Sequence, residues 1–312
     1  MIFPRIYVAL STFAQEDKGP LEALKASGFE FVTNKTGKRL TKAQVIEQVK
    51  GFDAVIAGLE PYDREVLEAL PQLKCVSRCG VGVDNVDLAV AKARGVAVLN
   101  TPQVVVLPVA ELTLGLVLDL FRRITAHTEL MRQGKWERLS GRDLSGKTAG
   151  VIGLGRIGRK VAQVFTALGV NVIAHDIAPD KEWAAANKIK LAGLEELLTV
   201  SDILTLHLGG AAESVLIGKA ELARMKKGAV LVNVARGGFV DAKALYDALK
   251  DGHLAGAGLD VYSEEPYHGP LKELPNVVMT PHVGTLTQES RGAMELEAVS
   301  NVLDFLKGGR HA

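Results

Sequence analysis

Ala149-Gly150-Val151-Ile152-Gly153-Leu154-Gly155-Arg156-Ile157-Gly158-Arg159 decides the fold of this chain. An apolar run leads into three glycines spaced G-x-G-x-x-G, and a helical pattern follows from Lys160 to Leu168. The first glycine permits a tight strand-to-helix turn, the second lets backbone approach a pyrophosphate, and the third lets helix and strand pack closely. Free amides and the positive end of the helix dipole then face an anion. A second strand, Asn171 to His175, ends at Asp176, which lies 18 residues past Gly158. A carboxylate there can hold the two hydroxyls of an adenosine ribose and repels a 2′-phosphate, so the pattern predicts NAD rather than NADP. The plainer alternative is a tight turn in an α/β sheet that binds nothing.

Working outward, the same alternation of short apolar strands and helices fills most of the chain. Upstream, strands are expected at Arg5 to Ser11, Phe29 to Thr33, Ala54 to Gly58, Lys74 to Arg78 and Val96 to Leu99. Helical patterns lie between them at Gly19 to Ser27, Lys42 to Lys50, Arg64 to Leu70 and Val86 to Arg94. Downstream, strands are expected at Ile203 to Leu208, Ala229 to Val234, Ala257 to Val261 and Asn276 to Met279. Helices are expected near Glu221 to Met225, at Ala242 to Lys250, and at Gln288 to Leu306. Strands alternating with helices imply parallel sheets covered on both faces. The fold class is therefore α/β, with two Rossmann-like doubly wound sheets. The expected division is a first segment 1–104, a dinucleotide-binding domain 105–280, and a tail 281–312 that returns to the first domain. A single helix from Val109 to roughly Met131, apolar on several sides, is expected to need cover nearly all round.

Composition narrows the classes. A chain of 312 residues that is 47% hydrophobic and 23% charged is ordinary for a soluble protein and long for one domain. A formal net charge of +1 gives no reason to expect nucleic acid as a partner. Cys75 and Cys79 are too few for a disulfide framework and read as buried thiols, with no metal site expected. The start lacks a basic region followed by a long apolar segment, and Leu112 to Leu118 is too short to span a membrane, so the cytoplasm is the expected location. Trp136, in the polar loop Gly134 to Gly146, is read either as an interface residue or as packing over that loop.

Three polar residues follow apolar strands in the later half. Arg236 follows Leu231-Val232-Asn233-Val234-Ala235, Glu265 follows the Asp260-Val261 strand end, and His282 follows Thr280-Pro281. In open α/β sheets the carboxyl ends of the strands meet at the ligand crevice. A guanidinium can hold a carboxylate in a planar two-pronged pair and polarise a nearby carbonyl. An imidazole can exchange the proton that accompanies a hydride, and a carboxylate behind it can select its tautomer. Singly, each has a bland reading: a surface-loop arginine, a solvated turn, a capped interior ring. Their order after a dinucleotide fingerprint favours chemistry.

Taken together, these stretches resemble the NAD-dependent D-isomer-specific 2-hydroxyacid dehydrogenase family over essentially the whole chain. The likeness rests on Gly80-Val81-Gly82-Val83-Asp84-Asn85-Val86-Asp87, Asn100-Thr101-Pro102, Val109-Ala110-Glu111 and the Gly153/Gly155/Gly158 fingerprint. It extends through Asn233-Val234-Ala235-Arg236-Gly237-Gly238, Asp260-Val261 through Glu264-Glu265-Pro266, and Pro281-His282. The resemblance implies two domains with a cleft between them and a homodimer joined through the cofactor domain. It also implies that Arg236 grips the substrate carboxylate and carbonyl, that His282 is the acid/base, and that Glu265 is its partner. Backbone at Val81 and Gly82 would cup the carboxylate. Gly153, Leu154, Gly155, Arg156, Ile157, Gly158, Asp176, His207, Val234 and Ala235 would border the cofactor, with Asp260 reaching the nicotinamide carboxamide.

Two departures stand out. The run Gly209-Gly210-Ala211-Ala212-Glu213-Ser214 replaces the proline and threonines that many members carry after this strand, and Gln103-Val104-Val105-Val106-Leu107 lacks a common Gly-Asn pair. Ser77-Arg78-Cys79-Gly80 and Asp84-Asn85-Val86-Asp87 resemble the D-3-phosphoglycerate dehydrogenase branch, which makes 3-phosphoglycerate the leading substrate candidate. Arg78, Arg39 or Arg291 would be available for its phosphate. Glyoxylate, hydroxypyruvate, lactate-like acids and bulkier 2-keto acids stand beside it. If the substrate is 3-phosphoglycerate, feedback control of the kind associated with an appended amino-acid-binding domain is expected to be absent, since none follows the catalytic region before Ala312. A formate-type oxidation is disfavoured, because it has no need of the Glu–His pair. A non-enzymatic alternative is an NAD(H)-responsive protein acting through a partner surface, as in the family's corepressor branch.

Overall fold

The short apolar runs pair as parallel strands in two separate sheets. The computed structural model describes residues 4–210, 212 and 214–308. The chain divides into two compact units, Met1–Val105 with Thr285–Ala312, and Val106–Gly284.

The first unit holds β1 (Arg5–Val8), α1 (Gly19–Ala26), β2 (Glu30–Thr33), α2 (Lys42–Val49), β3 (Ala54–Ala57), α3 (Arg64–Ala69), β4 (Cys75–Arg78), α4 (Leu88–Ala93) and β5 (Ala97–Leu99). Its five-stranded sheet runs in the order β2-β1-β3-β4-β5, the flavodoxin-like doubly wound order. All four residues of β3 are buried, as a strand covered on both faces requires. At α4 the helix start follows a side-chain cap instead of the hydrophobic pattern. The pattern begins a helix at Val86, but Asp87 accepts from the Val90 amide and the helix starts at Leu88. The terminal helix Gln288–Leu306, capped by Thr287, belongs to this unit and buries Met294, Ala298, Val299 and Val302. Its buried Glu295 accepts from the Ala14 amide at 2.7 Å, and Arg291 Nε lies 2.9 Å from its other oxygen.

The second unit opens with α5 (Val106–Arg122) and α6 (Ile124–Arg132). The single helix expected from Val109 to Met131 is thus two helices. Arg123 adopts a left-handed φ of 56°, and Asp119 accepts from the Thr125 amide at 2.8 Å, so a carboxylate in the last turn of α5 starts α6. Within one chain the second half of this apolar stretch is left uncovered. No residue of α6 is buried, and Ile124, Met131 and Trp136 are all exposed; Trp136 does not pack over its loop.

Next come β6 (Thr148–Ile152), α7 (Arg156–Ala167), β7 (Asn171–His175), α8 (Lys181–Ala186), β8 (Lys190–Leu191), α9 (Leu194–Val200) and β9 (Ile203–Leu206). They are followed by α10 (Lys219–Arg224), β10 (Val230–Asn233), α11 (Ala242–Lys250), β11 (Gly256–Leu259) and β12 (Val277–Met279). The strand order is β12-β11-β10-β9-β6-β7-β8, all parallel. The direction of winding reverses between β6 and β9, so the glycine turn after β6 lies at the topological switch point. Helices α8 and α9 were not read from the sequence; Asp180 caps α8 through the Trp183 amide. Among the described residues, no helix is long and apolar enough to cross a membrane, and no cluster of three His, Cys, Asp or Glu could hold a metal ion. Both cysteines are buried and unbridged.

Candidate active site

The three glycines of the fingerprint have three different surroundings. Gly153 has φ +90°, and a Cβ there would lie 2.6 Å from the His207 carbonyl oxygen. At Gly158 a Cβ would lie 1.9 Å from the Gly153 carbonyl oxygen, so Gly158 lets α7 approach the turn while Gly153 lets the turn approach the end of β9. At Gly155 a Cβ would meet nothing within 4 Å. Two glycines therefore serve packing, while the middle one leaves open space at the start of a long helix, where a pyrophosphate would be received. Leu154 is buried beneath the turn, and Arg156 is exposed on its rim. Ile157 is half-buried and packs on the unit's core.

Asp176 ends β7 beside this turn. Its carboxylate accepts from the Leu154 amide at 2.6 Å and from the Ala178 amide at 2.8 Å. The group is thereby aimed and tied to the glycine turn. These residues fit a dinucleotide: open backbone where phosphates go, and a carboxylate where a ribose goes. His207, at the end of β9, is 8% exposed, with Nε2 2.9 Å from Thr205 Oγ1. Burial pushes its pKa down to about 3, so the ring stays neutral and acts as a floor under the glycine turn. The Gly209–Ser214 departure includes Ala211 and Glu213, which lie outside the described residues.

The polar trio gathers at the carboxyl ends of β10, β11 and β12. His282 Nδ1 is 2.8 Å from Glu265 Oε2, and both side chains are partly exposed. Glu265 Oε1 accepts from the Tyr262 amide at 3.1 Å, so the carboxylate is fixed at both oxygens. With Nδ1 facing a carboxylate, that nitrogen carries the proton in the neutral ring and Nε2 is left as the basic atom. His282 itself has φ 54°, an uncommon left-handed geometry for a side-chain-bearing residue. Asp260 enforces it. Its oxygens accept from Thr280 Oγ1 at 2.6 Å, the Val283 amide at 2.8 Å and the Gly284 amide at 2.8 Å. Its carbonyl accepts from the His282 amide at 2.9 Å. Asp260 is 1% exposed, so this carboxylate, which the resemblance directs to a nicotinamide carboxamide, is occupied as the clamp of the histidine loop.

Arg236 follows β10 in extended backbone. Buried Asn233 accepts from the Ala235 amide at 3.1 Å and donates to the Arg236 carbonyl at 2.9 Å, folding Val234 and Ala235 into a fixed turn. Arg236 Nη1 donates to the Ala235 carbonyl at 2.7 Å. A Cβ on Gly237 would fall 1.9 Å from the Tyr262 carbonyl carbon, so the arginine turn lies directly on the loop that carries Glu265. Asn233 and the clamping function of Asp260 were missed from sequence, although both stand at strand ends.

In the first unit, Val81 and Gly82 follow β4. The Gly80 amide donates to Thr101 Oγ1 at 2.7 Å, and Asn100 Nδ2 donates to the Val81 carbonyl at 2.8 Å. Val81 is exposed on the resulting loop. Of the arginines considered for a phosphate, Arg291 pairs with Glu295 and donates to Thr12 Oγ1 at 3.1 Å, and Arg39 is exposed. Arg78 is half-buried at the end of β4 and donates to the Cys79 carbonyl.

Comparison with known proteins agrees with this architecture. Residues 114–284 match the family model described as D-isomer specific 2-hydroxyacid dehydrogenase, NAD binding domain. A D-3-phosphoglycerate dehydrogenase of Archaeoglobus fulgidus is 40% identical over 92% of this chain, which spans only 55% of that relative's length. A glyoxylate reductase of Korarchaeum cryptofilum is 38% identical over 86% of this chain and 84% of its own. The crystal structure of a glyoxylate reductase from Paecilomyes thermophila superposes with a TM-score of 0.88 at 32% identity, covering 100% of this chain and 98% of that one. By fold, glycine turn and match over more than half its length, the chain belongs to the D-isomer-specific 2-hydroxyacid dehydrogenase family, whose cofactor is NAD.

Proposed function

We infer that the protein interconverts a D-2-hydroxy acid and its 2-keto acid with NAD as cofactor. The observation that carries this reading is the Glu265–His282 pair at 2.8 Å, in the same unit as the glycine turn. NAD, when bound, supplies or accepts the hydride. His282 Nε2 takes the hydroxyl proton in the oxidative direction and returns it to the carbonyl oxygen in the reductive one. Glu265 orients the ring by facing Nδ1, which leaves Nε2 directed away from the carboxylate. Arg236 holds the substrate carboxylate and offsets charge developing on the C2 oxygen. The loop at Val81 and Gly82 is the proposed second contact for the carboxylate. Asp176 holds the adenosine ribose and sets the preference for NAD.

Among substrates, 3-phosphoglycerate leads, supported by the wording of residues 77–87 and by the relative named for that activity. Glyoxylate and hydroxypyruvate follow, supported by the relative that this chain matches over most of its length. Arg78 is the candidate phosphate contact. A cofactor-absorbance screen of 3-phosphoglycerate, D-glycerate, D-lactate and their keto counterparts, with NAD and NADP, tests the reading. NAD-linked turnover of one D-acid is expected. Tight NADH binding with no turnover across the panel would favour the interaction-protein alternative.

A homodimer is the proposed assembly. Helix α6 buries none of its own residues, and a groove of about 840 Å³ runs along it, lined by Leu118, Arg122, Ile124, His127, Met131 and Arg132. Sedimentation should show a dimer, reduced to monomer by combining Ile124→Glu and Met131→Glu. A monomeric parent protein would remove the proposal.

A further inference from the structure

Three loops supply the polar trio, and all three meet at one residue that no feature of the reaction assigns. Tyr262 lies on the loop after β11, half-buried. Its amide donates to Glu265 Oε1 at 3.1 Å. Its hydroxyl stands 3.0 Å from the Leu259 carbonyl and 3.0 Å from the Thr280 carbonyl. Thr280 is two residues before His282, and its carbonyl also accepts from the His282 amide at 3.1 Å. The carbonyl carbon of Tyr262 is what a side chain on Gly237 would strike. One residue thus touches the glutamate through its amide, the histidine loop through its hydroxyl, and the arginine turn through its carbonyl.

We propose that Tyr262 is a positioning residue that holds the Glu265–His282 pair in register, its hydroxyl bracing the Thr280 carbonyl so that Nδ1 of His282 stays on Glu265. The inference rests on the functional reading above for its kinetic consequence but not for its geometric one. The phenol suits the task. Burial and the neighbouring Asp260 carboxylate push its pKa up to about 12, so it stays a neutral donor throughout the working range. Its ring stacks on Tyr267, with centroids 4.8 Å apart and planes inclined by 25°, which fixes the direction of the hydroxyl. The brace acts across strands. Leu259 ends β11, and Thr280 follows β12, the edge strand of the sheet, which has a ladder partner on one side only. The one hydroxyl proton, shared between the two carbonyls, keeps that edge from drifting where His282 leaves it. Left-handed backbone at His282 makes the restraint more necessary, since a relaxed loop would carry the ring away from Glu265.

Tyr262→Phe removes the brace and keeps the ring stack. Tyr267→Phe is the matched control, because it removes only the hydroxyl that accepts from the Leu271 amide at 3.2 Å, away from the pair. Two readouts are needed. In the cofactor-free protein, the 15N shifts of His282, assigned by comparison with His282→Gln, report which ring nitrogen carries the proton. Tyr262→Phe should move His282 from a single Nδ1–H tautomer to a mixture, while Tyr267→Phe leaves it unchanged. In the assay, Tyr262→Phe should lower kcat about 10-fold, on the scale of lost orientation, with NADH affinity retained and a larger solvent isotope effect on kcat. Unchanged tautomer and kcat in Tyr262→Phe, or an equal loss in Tyr267→Phe, overturns the proposal. A tautomer shift in a protein that turns over none of the panel would keep the brace and remove the functional reading instead.

Discussion

His282 combines an uncommon backbone with a common chemical pairing, and each residue around it makes a separate, measurable claim. Replacing His282 with Ala should depress turnover about 100-fold or more, the scale of lost acid/base catalysis, and leave NADH binding largely intact. Arg236→Lys keeps the charge but loses the planar fork, and should cost about 100-fold in kcat/KM. Asp176→Ala should weaken NAD binding and narrow the preference against NADP, as measured by fluorescence titration with both cofactors. The trio was legible in sequence because each member follows an apolar run, and parallel sheets bring strand ends together. Asn233, Tyr262 and the clamp function of Asp260 were not. Tyr262 and Asp260 act through hydrogen bonds to the loop after β12, and a one-dimensional pattern carries no record of which loop faces which; Asn233 acts on its own turn, through the Ala235 amide and the Arg236 carbonyl.

At the scale of elements, the glycine turn separates packing from binding. Gly155→Ala introduces a methyl into open space and should leave the melting temperature nearly unchanged while weakening NADH binding. Gly158→Ala drives a methyl into the Gly153 carbonyl and should lower stability and binding together. Equal thermal loss in both would contradict the division. Strand positions were legible because strands buried on both faces read as short continuous apolar runs, whereas the break at Arg123 depended on Asp119 reaching Thr125, an interaction hidden in an otherwise continuous apolar pattern. The terminal helix carries a further prediction. Burial raises the pKa of Glu295 above its ordinary value despite the Ala14 amide and Arg291. The folded state therefore holds this proton more tightly than the unfolded one. The stability from this group is complete below the ordinary glutamate value and is lost as pH rises through the raised one. Glu295→Gln should flatten that part of the pH dependence of the melting temperature relative to the parent protein.

For the molecule as a whole, the second unit is one continuous stretch and the first is closed by the terminal helix. Removing residues 285–312 should therefore abolish the melting transition of the first unit and preserve that of the second, as seen by calorimetry. The two-sheet plan was legible from alternation alone; the distinct strand orders emerged only from pairing. The central claim is that this fold holds a proton-exchanging histidine and a carboxylate-binding arginine for hydride transfer at C2 of a keto acid. The most direct test incubates the protein with NADH deuterated at the transferable position and the keto acid selected by the screen. Deuterium at C2 of a single D-enantiomer of the product, lost in His282→Ala, is the predicted result. An undeuterated or racemic product would contradict the account.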